Sequence, residues 1–517
     1  MRDFGFRKRM LILSVHLGHD SSICILNNGS LEKYFLIERL TRRKHDYNEQ
    51  VLLNLVTSIS NKLRKKLDII CISNFNPPQG DEFIKTIFER CQEYNPDVRL
   101  ILQQDHHLNH ASLSFYNSKF DKSLVVVADG SGSEITPNIV EVESIFIFNK
   151  VKNTLIYKNT VESFSSYDFP WSKVGVGGLY DITSVLIGNT PDDCGKTMGL
   201  SSYGSSNELF KNLLVQKNPD ISPVKEITID NYQLHADFCY EVQQQTQKAV
   251  GDLIEDSITK TGIKKVCISG GYGMNIIANH YYLQRFPDVE FYFEPICNDN
   301  GISIGAAMNA HVELTGKIPD PIETTSFHGI HHDISSYEGI ETSMVNVANL
   351  LYQDKSVAVY SGLAESGQRA LGNRSILFNA LNPNAKDIVN KIKRREWYRP
   401  FACVVLEEDS NIYFDMGKVK SSPFMTICFP VREKYVKILS GVTHIDNTCR
   451  IQTVSNGYLY ELLQEFKKLS GHGILLNTSF NLAGEPLVET PTDAIKTMNN
   501  SHLDYIWLEE TQQLLSK

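Results

Sequence analysis

The sequence predicts a mixed α/β (α+β) chain in two or more domains, and three observations carry that expectation. The 517 residues exceed what one hydrophobic core accommodates. Short apolar runs recur and end in glycine turns, as in VVVADGSG and KKVCISGG, and strand–turn units of this kind alternating with helical stretches belong to layered α/β folds. A turn-rich stretch, TGKIPDPIETTSFHGIHHD, separates this pattern from a second βα series that restarts at Ser356–Tyr360. The boundary is placed near 340, giving domains 1–340 and 341–517.

The elements follow in order. Residues 10–38 read as strand, turn, strand, turn, strand, and the Asn28-Gly29 pair marks a tight hairpin because both positions accept positive φ. A helix is expected at about 47–66 and a buried strand at Leu67–Ser73. Another strand starts near 123, with hairpin strands around 143–160. Residues 237–262 place apolar residues at helical spacing and end on Gly262. This order of strand, hairpin and DG.G turn, then helix, strand, GG turn and helix, resembles each half of an actin-like ATPase domain. In such folds glycine turns bring backbone amides close to nucleotide phosphates.

Composition excludes several classes. With 42% hydrophobic and 21% charged residues the chain has the make-up of an ordinary soluble protein. A net charge of −9 argues against a general grip on nucleic acid. The basic start MRDFGFRKRM precedes only the short apolar run LILSV, which reads as a first strand rather than a secretory signal. No window reaches a membrane span. Ten cysteines lie singly with no C-x-x-C pair, which suits reduced thiols in a cytoplasmic protein.

Three groups of residues could carry chemistry. In DHHLNHA, a helix would put His106 and His110 on one face as two imidazole ligands, with His107/His110 as a second choice and a polar helix face as the plain alternative. Asp129 and Asp299 sit in glycine turns after apolar strands. Imidazoles with carboxylates suit Fe(II), Mn(II) or Zn(II). The second group is the glycine turns Gly130/Gly132, Gly199 and Gly270-Gly271, with Lys196 placed to counter a phosphate charge or simply solvated. The third group places Arg369, Arg374, Lys393, Arg395, Arg399 and Arg450 in one domain, near the strand end Asn477-Thr478-Ser479. Arginines interleaved with Gly, Pro and aromatics favour an anion pocket over a solvated surface.

The segments GHDSSICIL, ERLTRRKHD, DHHLNHA, VVVADGSG, CGKTMGLSSYG, ISGGYGMNIIAN, PICNDNGISIGAA, ESGQRALGNRSIL, KRREWYRPFA, CRIQTV and LLNTSFNLAGEP occur in this order over about residues 11–498. Together they resemble the antibiotic and nodulation-factor O-carbamoyltransferases. The resemblance implies an N-terminal actin-like ATPase domain related to the tRNA threonylcarbamoyladenosine synthase, plus a C-terminal YrdC-like domain. It implies carbamoyl phosphate and ATP as co-substrates, with carbamate adenylated and its carbamoyl group passed to an acceptor hydroxyl.

Carried over by position, His106, His110, Asp129 and Asp299 match metal ligands, with Fe(II) favoured and Mg with ATP. His19 matches a histidine near the acceptor hydroxyl, suited to act as general base, and Lys44 a lysine near nucleotide and acceptor. Gly130, Gly132, Lys196, Gly199, Gly270, Gly271, Asn275 and Asn298 fall in the nucleotide segments. Arg369, Lys393, Arg399, Arg450, Asn477, Thr478, Ser479 and Asn481 match the carbamoyl-phosphate pocket. Three positions depart from the pattern: Cys194 where many relatives have Glu, Ala483 where several have a polar residue, and Gln368 where Pro is common.

The expected partner is an alcohol-bearing acceptor: a sugar, a secondary metabolite, a lipo-oligosaccharide, or a hydroxymethylpyrimidine in a nucleotide or in DNA. The surface around 39–46 and 160–185 is expected to select it. A homodimer is left open. The rivals are a threonylcarbamoyl-type tRNA-modifying enzyme, an actin-like sugar kinase and an inactive ATP-binding regulatory relative.

Overall fold

The computed structural model describes residues 10–74, 77–162, 174–214, 222–225, 231–322 and 327–517. Part of the expected acceptor surface, 163–173, lies outside them. The described strands form three sheets.

The first sheet holds β1 (Leu11–Leu17), β2 (Ser22–Asn27), β3 (Ser30–Leu36), β4 (Ile69–Asn74) and β5 (Arg99–Leu102), in the order β3-β2-β1-β4-β5. β1 to β3 form an antiparallel meander, while β4 and β5 continue parallel to β1. The β2–β3 turn is the anticipated one, with Asn28 at φ 53° and Gly29 at φ 95°. Every residue of β1 is buried, as befits a strand covered on both faces.

The second sheet holds β6 (Lys122–Ala128), β7 (Glu134–Thr136), β8 (Ile139–Asn149), β9 (Lys152–Glu162), β10 (Lys265–Ser269) and β11 (Glu290–Phe293). β9, β8 and β6 run antiparallel, and β10 and β11 follow parallel to β6. Apart from the short β7, this repeats the topology of the first sheet.

The third sheet comprises β12 (Ile340–Glu341), β13 (Val357–Tyr360), β14 (Arg374–Asn379), β15 (Ala402–Leu406), β16 (Cys428–Pro430), β17 (Thr448–Val454), β18 (Ile474–Ser479), β19 (Tyr505–Leu508) and β20 (Gln513–Ser516). Its order is β12-β20-β19-β13-β14-β18-β15-β17-β16. Only the β13–β19 and β15–β17 pairs are parallel. The sheet is therefore mixed, not the simple βα series that the sequence pattern implied.

Layering follows from burial. The helices Glu49–Lys62 and Pro77–Tyr94 cover one face of the first sheet. The helices His106–Ser118 and Ile302–Thr315 fill the space between the first and second sheets, with Ala111, Leu113, Ala306 and Ala310 packed among Ile12, Cys24, Val125 and Val127. These two helices touch closely because residue 305 is glycine: a Cβ there would stand 2.0 Å from the Asn109 carbonyl oxygen. Ser112 and Asn109 both hydrogen-bond Asn309 across the contact. The other face of the second sheet shares one apolar cluster with the third, from Leu124 and Phe238 through Phe401 to Leu476, so no solvent layer separates the two regions there. All ten cysteines are free thiols. No described helix is long and apolar enough to cross a membrane.

Candidate active site

The first site forms where chain segments leave the carboxyl ends of β1, β6 and β10, the edge at which layered α/β sheets bind ligands. Asp105 caps the helix His106–Ser118 by accepting from Leu108 N at 2.9 Å, and the helical spacing turns His106 and His110 to one side. Their Nε2 atoms stand 3.2 Å apart, and each lies 3.2 Å from Asp129 Oδ2. Asp299 Oδ1 is 3.4 Å from His106 Nε2 and 3.3 Å from His110 Nε2. His107 points elsewhere, to Ser144 Oγ at 2.8 Å, so the i, i+4 choice is the one the fold uses.

Asp129 is aimed by its backbone surroundings. Its Oδ1 accepts from the amides of Gly130 at 2.9 Å and Gly271 at 3.1 Å, which leaves Oδ2 for the histidines. Gly270, at φ 84°, is where the turn presses on β6: a Cβ there would meet the Ala128 carbonyl oxygen at 2.3 Å. Gly132 similarly leaves room for His107 and Glu141.

These four residues fit a metal ion. Their ligand atoms lie within 4.8 Å of one another and all four residues are buried. Bonds of about 2.1 Å put tetrahedral ligands about 3.4 Å apart, the spacing seen here. Electrostatics agree: burial penalises charge on each group, yet both carboxylates are held below their usual range by the histidines, and His106 is drawn up to about 10, chiefly by Asp299 against that burial. These directions are those of groups gathered where positive charge is favoured, and a bound cation would compete with imidazole protons for the same carboxylates.

The rim of this pocket is built from the Gly18–Ser22 turn. His19 is half exposed, with Nε2 3.1 Å from Asp299 Oδ2 and Nδ1 3.5 Å from Asp20 Oδ2. Asp20 is buried and also receives His45 Nδ1 at 2.8 Å and Asn298 Nδ2 at 3.2 Å. Asn298 thus holds the rim turn. Asn275 caps the helix Ile276–Arg285 through Ala278 N and bonds Tyr180 and Gln243, a buried structural network. Lys44 is exposed. Lys196 is bridged between Asp193 at 3.1 Å and Glu396 at 3.0 Å, so it ties the two regions together. Gly199 abuts Pro400, and its carbonyl faces His444 Nε2 at 3.3 Å.

The second site is a cluster of cations. Lys393 is buried, and its Nζ donates to the Ser479 carbonyl, to Ser479 Oγ at 2.9 Å and to Asn481 Oδ1 at 2.7 Å. Arg395 stacks 4.0 Å over Phe401. Arg450 has its Nε buried without a partner, and so does the Oδ1 of Asn477, whose Nδ2 bonds Gln452 at 2.8 Å. Thr478 is buried on the same strand. Arg399 meets Glu396 at 3.6 Å.

Burial, and then mutual repulsion, hold Lys393, Arg395 and Arg450 well below their usual pKa ranges. Such crowding of like charge is an arrangement that a bound anion would relieve. Arg374 takes no part: fully buried, it donates to the carbonyls of Ser361, Asn373 and Gly362 beneath the Tyr360 ring.

The two sites abut. Arg369 Nη2 donates to the Met274 carbonyl at 3.3 Å, and Arg399 Nη2 lies 3.9 Å from where a side chain on Gly195 would start. A small pocket between the two regions has Met198, Gly199, Ile277, Phe401 and Arg450 in its wall. Asp20, His45 and Asp181 were not singled out from the sequence. The first two stood in plain view within GHDSS and RKHD, whereas Asp181 carried no local signal.

The chain belongs to the carbamoyltransferase family, and it is a transferase. The family model described as the carbamoyltransferase C-terminus matches residues 348–514, and that of the N-terminus matches 75–258 and 224–308. An uncharacterized protein of Methanocaldococcus jannaschii is 30% identical over 80% of this chain and 74% of its own. The nodulation protein NolNO of Sinorhizobium fredii is 28% identical over 94% of this chain and 77% of its own. The 3'-hydroxymethylcephem-O-carbamoyltransferase of Streptomyces clavuligerus is 25% identical over 94% and 96%.

Proposed function

We propose that this chain is an ATP- and divalent-metal-dependent O-carbamoyltransferase that draws on carbamoyl phosphate and works through a carbamoyl-adenylate. The observation that carries the reading is the apposition, in a chain of this family, of four residues fit to hold a metal and a cluster of four cations, Lys393, Arg395, Arg399 and Arg450, with Arg369 reaching the Met274 carbonyl between them. The duplicated sheet order of the first two sheets supports an actin-like ATPase architecture for residues 1–340. A YrdC-like reading of 341–517 rests on the resemblance alone.

In the anion pocket Arg369, Lys393, Arg399 and Arg450 hold carbamoyl phosphate, and Asn477, Thr478, Ser479 and Asn481 orient its carbamoyl end. Their charge favours attack of water on carbamoyl phosphate, which breaks the bond to the phosphate group, releases phosphate and leaves carbamate beside the first site. There, the turns that carry Gly130, Gly132, Gly270 and Gly271 border the nucleotide phosphates, and carbamate oxygen attacks the α-phosphorus with loss of pyrophosphate. His106, His110, Asp129 and Asp299 would hold the metal, which when bound supplies Lewis-acid stabilisation of phosphate oxygens. Imidazoles with carboxylates favour Fe(II), with Mg(II) accompanying ATP. Lys196 joins the nucleotide site only by exchanging Glu396 for a phosphate. His19 and Lys44 stand on the acceptor side.

The acceptor is an alcohol on a small molecule, in line with the hydroxymethyl group named for the Streptomyces relative. The test is incubation with ATP, carbamoyl phosphate, Mg²⁺ and Fe²⁺ while phosphate and pyrophosphate are assayed. Metal-dependent release of both is expected, and release of neither would overturn the reading.

A further inference from the structure

Asp181 sits on the helix Val176–Leu186, which is pressed against the Asp129-Gly130 turn. Two glycines permit the approach: a Cβ on Gly177 would stand 2.4 Å from the Asp129 carbonyl carbon, and one on Gly130 would stand 2.8 Å from Asp181 Oδ2. The Asp181 carboxyl therefore lies directly over the backbone that carries a metal ligand. Its Oδ1 accepts from the Cys194 thiol at 3.1 Å. Among the described residues no backbone N–H or cation pairs with it. Cys194 begins the helix Cys194–Ser201 and is the position at which the sequence departs from Glu.

His19, expected as the base, is committed differently. Both of its ring nitrogens face carboxylates, Nε2 towards Asp299 and Nδ1 towards Asp20. Another wall of the pocket offers a second proton acceptor for the alcohol.

We propose that Asp181 takes the proton from the acceptor hydroxyl at the first site, and that Cys194 positions it by donating its S–H. This rests on the carbamoyl-adenylate reading above. The acceptor O–H bond breaks and its proton passes to Asp181 Oδ2. The acceptor oxygen bonds the carbamoyl carbon, and the bond from that carbon to the phosphate oxygen breaks, so that AMP leaves with the electron pair. The carboxyl supplied from position 181 thus serves where a thiol stands at 194. Its surroundings suit the role: burial raises Asp181 to about 7, opposed by the Cys194 hydrogen bond and by His19 and reinforced by Asp129 and Asp192. A carboxyl poised near neutrality both accepts and releases protons readily.

The test follows one turnover of the full enzyme with ATP and carbamoyl phosphate. Pyrophosphate reports adenylate formation, and AMP reports transfer to water or added methanol. Asp181→Asn is expected to release pyrophosphate near the wild-type rate while AMP release falls about 10²-fold and loses its rise with pH. Asp181→Ser combined with Cys194→Glu, which moves the carboxyl to 194, is expected to restore most of that loss. An Asp181→Asn enzyme with unchanged AMP release overturns the proposal. So does loss of pyrophosphate and AMP release together, which marks a structural role, or a wild-type adenylate that persists in water and methanol. Absence of pyrophosphate from the wild type would remove the carbamoyl-adenylate reading itself.

Discussion

Replacing Arg450 by Met probes the anion pocket through stability rather than turnover. The guanidinium Nε is buried without a partner, and burial together with Arg369, Arg395 and Arg399 opposes its charge. Exchanging poorly compensated buried ionic groups for apolar residues of similar volume stabilises proteins by about 1–4 kcal/mol, and Met keeps much of the length of the side chain. A gain of about 1.5 kcal/mol is expected in phosphate-free buffer. Phosphate at about a hundred times its Kd stabilises the wild type by about 2.7 kcal/mol.

Loss of one charged donor costs about 1.5–3 kcal/mol, enough to bring the variant near half-saturation and leave it about 0.4 kcal/mol of that gain. The variant should therefore lead by about 1.5 kcal/mol without phosphate and trail by somewhat under 1 kcal/mol with it. Urea denaturation read by tryptophan fluorescence, with and without phosphate, measures both differences. A variant that is less stable in phosphate-free buffer and keeps the full phosphate gain would refute the anion pocket.

Two further outcomes follow. Gly305→Ala places a methyl 2.0 Å from the Asn109 carbonyl; the resulting overpacking should cost about 1–3 kcal/mol, tilt the helix that carries His106 and His110, and lower the metal retained after dialysis, read by elemental mass spectrometry. Lys393 is held well below its usual range by burial and by Arg395 and Arg399. The folded chain therefore releases this proton before the unfolded one does, and the contribution to stability rises with pH between the two pKa values. Sulfate, whose charge is constant across that window, should bind with uptake of a proton and weaken as pH rises, and Lys393→Met should abolish that slope. Calorimetry in buffers of different ionisation enthalpy reads it directly.

Much of the fold was legible locally. The Asn28-Gly29 turn, the strand and glycine turn at Lys265–Gly270 and the long helix closed by Gly262 all occur as read, because turn chemistry and helix termination depend on a few adjacent residues. The mixed order of the third sheet was not legible, since strand pairing is set by partners distant in the chain. Nor could the sequence separate Arg374 from Arg450. Each stands in a strand of the same domain, yet Arg374 donates to the carbonyls of Ser361, Gly362, Asn373 and Glu489, while Arg450 faces the like charges of Arg369, Arg395 and Arg399. Asn275 and Asn298 look alike as glycine-turn asparagines, but one caps a helix and the other steadies Asp20.

By itself the sequence determined which residue types were at hand: two histidines one helical turn apart, two aspartates at strand ends, a run of arginines and lysines, and a family pattern in order. Only the tertiary structure decided that His106, His110, Asp129 and Asp299 share one pocket, that Lys196 is spent on Glu396, and that Asp181 lies over Gly130. The reason is physical. Chemistry at a site depends on distances of a few ångströms between groups far apart in the chain, and those distances are set by sheet order and by close helix contacts such as the one at Gly305.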